Sequence, residues 1–217
     1  MEYRTRINPR ARRLTLRLDA AGQPIVTAPR FTPHWFIHRF VNSQQTWITK
    51  HQARLAQAKN TFLSATQVDL FGKHYQLVTQ PTAGASKVTI QGKKVVVSVH
   101  TGKDKQTVLN LFLKNTASHY LVPRVHELAR KMRVDFKKLT LRAQSTRWGS
   151  CSSVGNLNFN WRLVHFPPTI IDSVIIHELA HRQQLDHSKN FWRFVERFDP
   201  EYRLHRGWLK RNGVAVV

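Results

Sequence analysis

Residues 177–181 read His177-Glu178-Leu179-Ala180-His181, and a further histidine, His187, follows six positions later. Four residues carry an α-helix through about one rotation, so both imidazoles leave the same side and can hold one ion. Glu178 lies one step round from His177, near such an ion but off the ligand line. A carboxylate there can take a proton from a water. Three protein ligands leave one tetrahedral position open for that water, so a third ligand is required, and His187 and Glu196 are the nearest candidates. On an unbroken helix His187 would sit about 240° round from His181, on the wrong side. The spacing therefore predicts that the helix ends near Leu185–Asp186 and the chain folds back. Ser188 then caps a new helix over NFWRFVERF. Imidazole ligands favour zinc over magnesium or calcium, so the expected cofactor is one Zn2+ ion.

These groups need a scaffold. Pro167-Pro168-Thr169 starts the histidine-bearing helix, since proline is tolerated at a first helical position. Ile170, Ile171, Val174, Ile175 and Leu179 supply its buried faces. Upstream, residues 139–164 read as two strands, LTLRAQ and NLNFNWRLV, around the loop STRWGSCSSVG. In the second, Leu157, Phe159, Trp161 and Leu163 fall on one face and Asn156, Asn158, Asn160 and Arg162 on the other. The pattern over 104–132 is helical, with Pro123 as a kink or early-turn position. Residues 66–100 read as β-structure. Residues 11–28 read as a hairpin turning at AAGQP, followed by one helix from Thr32 to about Lys59. The class is α+β: a small β-rich N-terminal domain with a helix over 1–103, then the domain carrying the chemistry over 104–217.

The chain has 217 residues and one cysteine, Cys151, which excludes an internal disulfide. Its apolar runs are too short to span a bilayer, and its basic N-terminus has no apolar stretch of the signal-peptide kind, so a cytoplasmic location is expected. The balance of 35 Lys and Arg against 12 Asp and Glu gives a net charge of +23. The excess sits mostly away from the histidines: residues 1–60 hold 11 basic and 2 acidic side chains, and residues 151–217 hold 9 and 6. Such a field attracts polyanions, and a nucleic acid or nucleotide is an expected partner of the basic surface.

The segments RAQSTRWGSCSSVGNLNFNWRLV and PPTIIDSVIIHELAHRQQLDHSKNFW, with RRLTLRLDAAGQPIVTAP and LFGKHYQLV upstream, resemble the YgjP-like metallopeptidase domain family. That family is grouped with zincin-type metallopeptidases and is similar to SprT-like and WLM proteases around the active helix. The resemblance implies a zincin-like minimal protease domain, its active helix packed on a short sheet. It implies zinc on His177, His181 and His187, Glu178 as general base, and a peptide or protein substrate. It also implies that strand 156–163 lines the cleft and pairs with extended substrate, which makes Asn156, Asn158 and Asn160 substrate candidates. Arg147 is a candidate for stabilising an oxyanion or for a structural ion pair, and Tyr202 and His205 are candidates to reach the oxyanion. Cys151 either occupies the open zinc position or is a small buried thiol, and Phe191 and Trp192 read as core. Arg182 departs from the uncharged residue many zincins carry after the second histidine. Two other readings keep the metal: hydrolysis of a nucleotide phosphoanhydride, and a DNA-associated module whose structural zinc takes Glu196 or Asp186 as fourth ligand.

Overall fold

Three short strands open the chain: β1 (Arg4–Ile7), β2 (Thr15–Leu18) and β3 (Pro24–Ala28). In the computed structural model, which describes residues 2–19, 21–59, 63–144 and 147–213, β2 and β3 form the expected antiparallel hairpin. Ala20, in its turn, lies outside the described residues. The Asp19 carboxylate accepts the Ala21 and Gln23 N–H groups at 2.9 Å each, and Gly22 takes a positive φ of 86°. β1 was not foreseen; it lies parallel to β3 and gives the order β1-β3-β2. The single helix expected over 32–59 is two, α1 (His34–Ser43) and α2 (Gln45–Lys59), parted at Gln44. The Ser43 hydroxyl bonds back to the Phe40 carbonyl at 2.8 Å, one of the local bonds that loosen a helix there. Val26, Ala28, Ile37, Val41 and Ile48 form this unit's own core.

The compact units are Met1–Asn60 and Thr61–Val217, so the division precedes the 103/104 boundary expected from the sequence. The reason lies in the next four strands: β4 (Gln67–Leu70), β5 (Lys73–Thr82), β6 (Lys87–Gln91) and β7 (Lys94–His100), in the order β4-β5-β7-β6. Val68, Leu70, Leu77, Val95 and Val97 share one apolar core with the long helix α3 (Lys105–Met132) and everything after it. The β4–β5 turn is bonded in directly. Phe71 N–H donates to the Val164 carbonyl at 2.7 Å, and the buried His165 Nδ1–H donates to the Asp69 carbonyl at 2.7 Å. Gly72, at φ +74°, lies so close to Pro167 that a Cβ there would fall 2.9 Å from the ring. Burial drives His165 down to about pH 4 for its pKa, so it stays neutral.

α3 starts at Asp104, whose carboxylate accepts Thr107 N–H at 2.8 Å, and carries Pro123 well inside its length. It leads to a second small sheet, β8 (Lys138–Arg142), β9 (Gly149–Cys151) and β10 (Asn156–Asn160), in the order β8-β10-β9. β10 is parallel to β8 and antiparallel to β9, so it is the central strand. The expected strand over 156–164 stops at Asn160. There the side-chain oxygen accepts Arg162 N–H at 3.2 Å, the amide donates to the Gln144 carbonyl at 2.8 Å, and Trp161–His165 becomes a 3₁₀ helix. Leu157, Phe159, Trp161 and Leu163 are all buried, as their alternation predicts. Ser145 and Thr146, where the expected loop begins, lie outside the described residues. Three helices follow: α4 (Pro168–Ala180), α5 (Lys189–Glu196) and α6 (Tyr202–Asn212). The class is α+β, with α4 packed on β9 of the short sheet. No helix among the described residues is long and apolar enough to cross a membrane.

Candidate metal centre

α4 is apolar almost all round, the signature of a helix sunk in a core. Ile170, Ile171, Val174, Ile175, Ile176 and Leu179 are each at most 5 % exposed. Every such side chain contributes roughly 1.5–3 kcal/mol on burial, so the helix is firmly seated. Pro168 opens it at the first helical position. It ends earlier than Leu185: Ala180 is its last residue and His181 its cap. The N–H groups of Arg182, Gln183 and Gln184 donate to the Leu179 and Ala180 carbonyls at 2.9–3.1 Å, tightening the last turn. The chain then reverses through Asp186, and Ser188 caps α5 by accepting Phe191 N–H.

That reversal brings His187 beside the helix. Its Nε2 lies 3.1 Å from His177 Nε2, and the donor atoms of His177, His181 and His187 all fall within 4.8 Å of one another. A tetrahedron with zinc–nitrogen arms of ~2.0–2.1 Å has edges of ~3.3–3.4 Å, close to the His177–His187 separation, and three imidazole nitrogens are a donor set of the kind zinc takes. The His181 Nδ1–H donates to the Gln184 carbonyl at 3.1 Å, which leaves its Nε2 lone pair free for an ion. Burial, helped by the other two histidines and Arg206, pushes the His177 pKa down to about 3. Burial also lowers His187. Neutral imidazoles are the metal-ready form. Phe191, fully buried as expected, supports all three rings at centroid distances of 4.7–5.1 Å. No fourth His, Cys, Asp or Glu joins the trio among the described residues. Asp186 Oδ1 accepts Ser188 N–H at 3.3 Å, and Glu196 faces Arg203 at 4.0 Å.

Glu178 is 7 % exposed, and burial raises its pKa to about 7 against the opposing pull of Arg147 and a hydrogen bond from Cys151 N–H. Gly149 packs against it so tightly that a Cβ would lie 2.6 Å from Glu178 Cγ. A cavity of about 230 Å³ opens beside Glu178 and His177. Its walls include Trp148, Val174, Trp192, Val195, Tyr202 and Leu209, and Arg147 and Arg206 also line it.

The family model for the YgjP-like, metallopeptidase domain matches residues 12–212. The chain belongs to this family. The metallopeptidase zymogen jannalysin of Methanocaldococcus jannaschii is similar at 18 % identity, over 42 % of this chain and 91 % of that one, with a TM-score of 0.37. No curated protein sequence matches the chain significantly.

Within this YgjP-like chain the sequence candidates separate. Tyr202 reaches the cavity, stacked on Trp192 at 5.1 Å, and its hydroxyl accepts Arg203 Nε–H at 3.1 Å. His205 does not; its Nδ1 meets the Asp199 carboxylate at 2.9 Å, and it lines other cavities. Asn156, Asn158 and Asn160 also lie off the cavity, on a strand paired along both edges. That pairing rules out β10 as the strand that adds substrate, because it has no free edge; β8 and β9 are the sheet's edges, and β9 is the one beside Glu178. Arg147 has no carboxylate within 4 Å among the described residues, so the expected structural ion pair is not formed there. Cys151 is half-buried, and burial raises its thiol pKa, as for an inert thiol. Arg182 ties the end of α4 down, donating to the carbonyls of Asp135 at 2.9 Å and Ser153 at 3.3 Å. Sequence reasoning missed Trp148, Gly149 and Arg206. Trp148 and Gly149 left one signal, their place in the RWGSC block that carries the family resemblance, and Arg206 another, four residues after Tyr202 and so on the same helix face.

Proposed function

We propose that the chain is a zinc-dependent endopeptidase in which His177, His181 and His187 hold one zinc ion and Glu178 is the general base. Zinc held there would polarise the scissile carbonyl and lower the pKa of the attacking water. Glu178, poised near neutrality, takes the proton from that water and passes it to the leaving nitrogen. β9, half-buried at one end of its sheet and beside Glu178, aligns an extended substrate by backbone pairing. The cavity beside Glu178 receives one substrate side chain, large and apolar to match its walls. The observation that carries the reading is three imidazoles converging beside a buried carboxylate with no fourth protein ligand among the described residues. A structural zinc in a DNA-associated module would call for that fourth ligand.

Arg147 and Arg206 favour the second reading, hydrolysis of a nucleotide phosphoanhydride. At about 230 Å³ the cavity is below the roughly 300–1,000 Å³ usual for whole small-molecule ligands, and its walls are mostly apolar, which favours a side chain. Purified protein is tested on casein and on nucleoside triphosphates, with a metal-free control. Glu178→Gln should retain one zinc and lose peptide cleavage, while His187→Ala should lose the zinc. Phosphate or pyrophosphate release without any peptide cleavage would replace the peptidase reading.

A further inference from the structure

The first sheet has two unlike faces. Cross-strand partners point to the same side, so the register Arg4↔Ile25↔Arg17 forms one row and Arg6↔Thr27↔Thr15 the next on the same face. The alternate row, Thr5↔Val26↔Leu16, turns to the side where Val26 joins the core with Ile37, Val41 and Ile48 of α1 and α2. The face of Arg4, Arg6 and Arg17 is therefore the open one, and all three arginines are exposed. By strand geometry Arg4 and Arg6 stand ~6.7 Å apart along β1, and Arg17 stands ~10 Å across from Arg4. None has a carboxylate within 4 Å among the described residues, and residues 1–60 hold only Glu2 and Asp19 against 11 basic side chains.

Three exposed, mutually repelling guanidinium groups share this face with the Thr15 and Thr27 hydroxyls and have no carboxylate partner among the described residues. Arginine and hydroxyl side chains are what proteins place against phosphodiester oxygens. We propose that this open face binds the phosphodiester backbone of a single-stranded nucleic acid, independently of the metal centre. A membrane surface fits less well, because the face carries no exposed large apolar side chain to enter the bilayer; Ile25 is only half-exposed. The single strand is favoured over a duplex because Phe31 and Trp35, outside the arginine face but in the same unit, expose 88 % and 64 % of their surface, offering rings to unstacked bases of a strand that continues past that face.

The test is fluorescence anisotropy of the full chain with labelled 30-nucleotide DNA and RNA strands across a salt series. Anionic phosphatidylserine vesicles form a separate arm. Each phosphate contact adds about −0.7 to the slope of log K against log salt for a single strand, so three contribute about −2. The variant Arg4→Gln, Arg6→Gln, Arg17→Gln should flatten the slope by that amount and weaken binding roughly 100-fold at 0.1 M salt. The variant Lys87→Gln, Lys93→Gln, Lys103→Gln removes the same charge from exposed sites in the other unit and should change the slope little. Glu178→Gln should bind like the parent. Equal weakening by both triple variants, an unchanged slope in the arginine variant, or tighter binding to vesicles than to either strand would overturn the proposal. Preference between DNA and RNA identifies which backbone is the ligand.

Discussion

Replacing Gly149 by alanine should disable hydrolysis while leaving the metal ligands in place. The new Cβ would stand 2.6 Å from Glu178 Cγ, 2.8 Å from Oε1 and 3.0 Å from Cδ. Carbon atoms at rest lie ~3.5–4.0 Å apart, so the pair must separate by about 1 Å. Glu178 has little freedom to yield: it is 7 % exposed and accepts a hydrogen bond from Cys151 N–H two residues along the same strand. A base misplaced by ~1 Å costs on the order of 100-fold in rate, or about 2.7 kcal/mol of transition-state stabilisation. The assay pairs kcat/KM on a quenched-fluorescence peptide with zinc content by mass spectrometry and with Tm. The expected result is a drop of about 100-fold in kcat/KM at unchanged zinc stoichiometry. A Gly149→Ala protein that keeps more than half of its activity would refute the argument that this glycine positions the base.

Other measurements reach different parts of the molecule. His165 has a folded pKa of about 4, below the ~6.5 of an unfolded histidine, so the unfolded state takes up more protons between those values. Its stabilising effect is complete above about pH 6.5 and is lost as pH falls toward 4, by ~2 kcal/mol at pH 5. Urea unfolding at pH 7.5 and pH 5 should show that loss, and His165→Gln should lack it. Arg124 grips Asp172 with two bonds, Nε–H to Oδ1 at 2.8 Å and an Nη–H to Oδ2 at 2.6 Å, clamping α3 to α4. Arg124→Lys forfeits the fork and should lower stability by about 1 kcal/mol with zinc content unchanged. Filling the cavity by Val174→Phe should cut kcat/KM for substrates with a large side chain at the cleavage site far more than for those with a small one; equal losses on both would show that the cavity does not select.

The metal centre was the most legible part of the sequence because helical spacing is strict. Two histidines four apart share a face whatever surrounds them, and His187 could join them only if the helix stopped. The reversal is present, although α4 ends at Ala180 because the next three N–H groups find carbonyls in a tightened turn. Short elements were illegible. β9 spans only Gly149–Cys151, too few residues to show a period, yet it supplies the edge beside Glu178 and the glycine that Glu178 needs. The alternation of 156–164 reported the burial of its apolar face correctly, but it missed the full burial of Asn160 and the secondary structure, because one asparagine cap at Asn160 turns a strand into a 3₁₀ helix without exposing Trp161 or Leu163. The polar Asn156, Asn158 and Asn160 looked like a cleft face from one strand alone. Whether a strand is central or at an edge depends on neighbours that its own residues do not specify.

The bonds from the Phe71 N–H to Val164 and from His165 to the Asp69 carbonyl, with Gly72 against Pro167, give the four-stranded sheet a stake in metal occupancy. A ligand that binds only the folded state stabilises all that unfolds with it, by ~4 kcal/mol at a thousand times its dissociation constant. Zinc on α4 and the following turn should therefore slow amide hydrogen exchange in β4, β5 and β7, strands that hold no metal ligand among the proposed set. Protection spreading that far would mark the sheet and the metal centre as one cooperative folding unit.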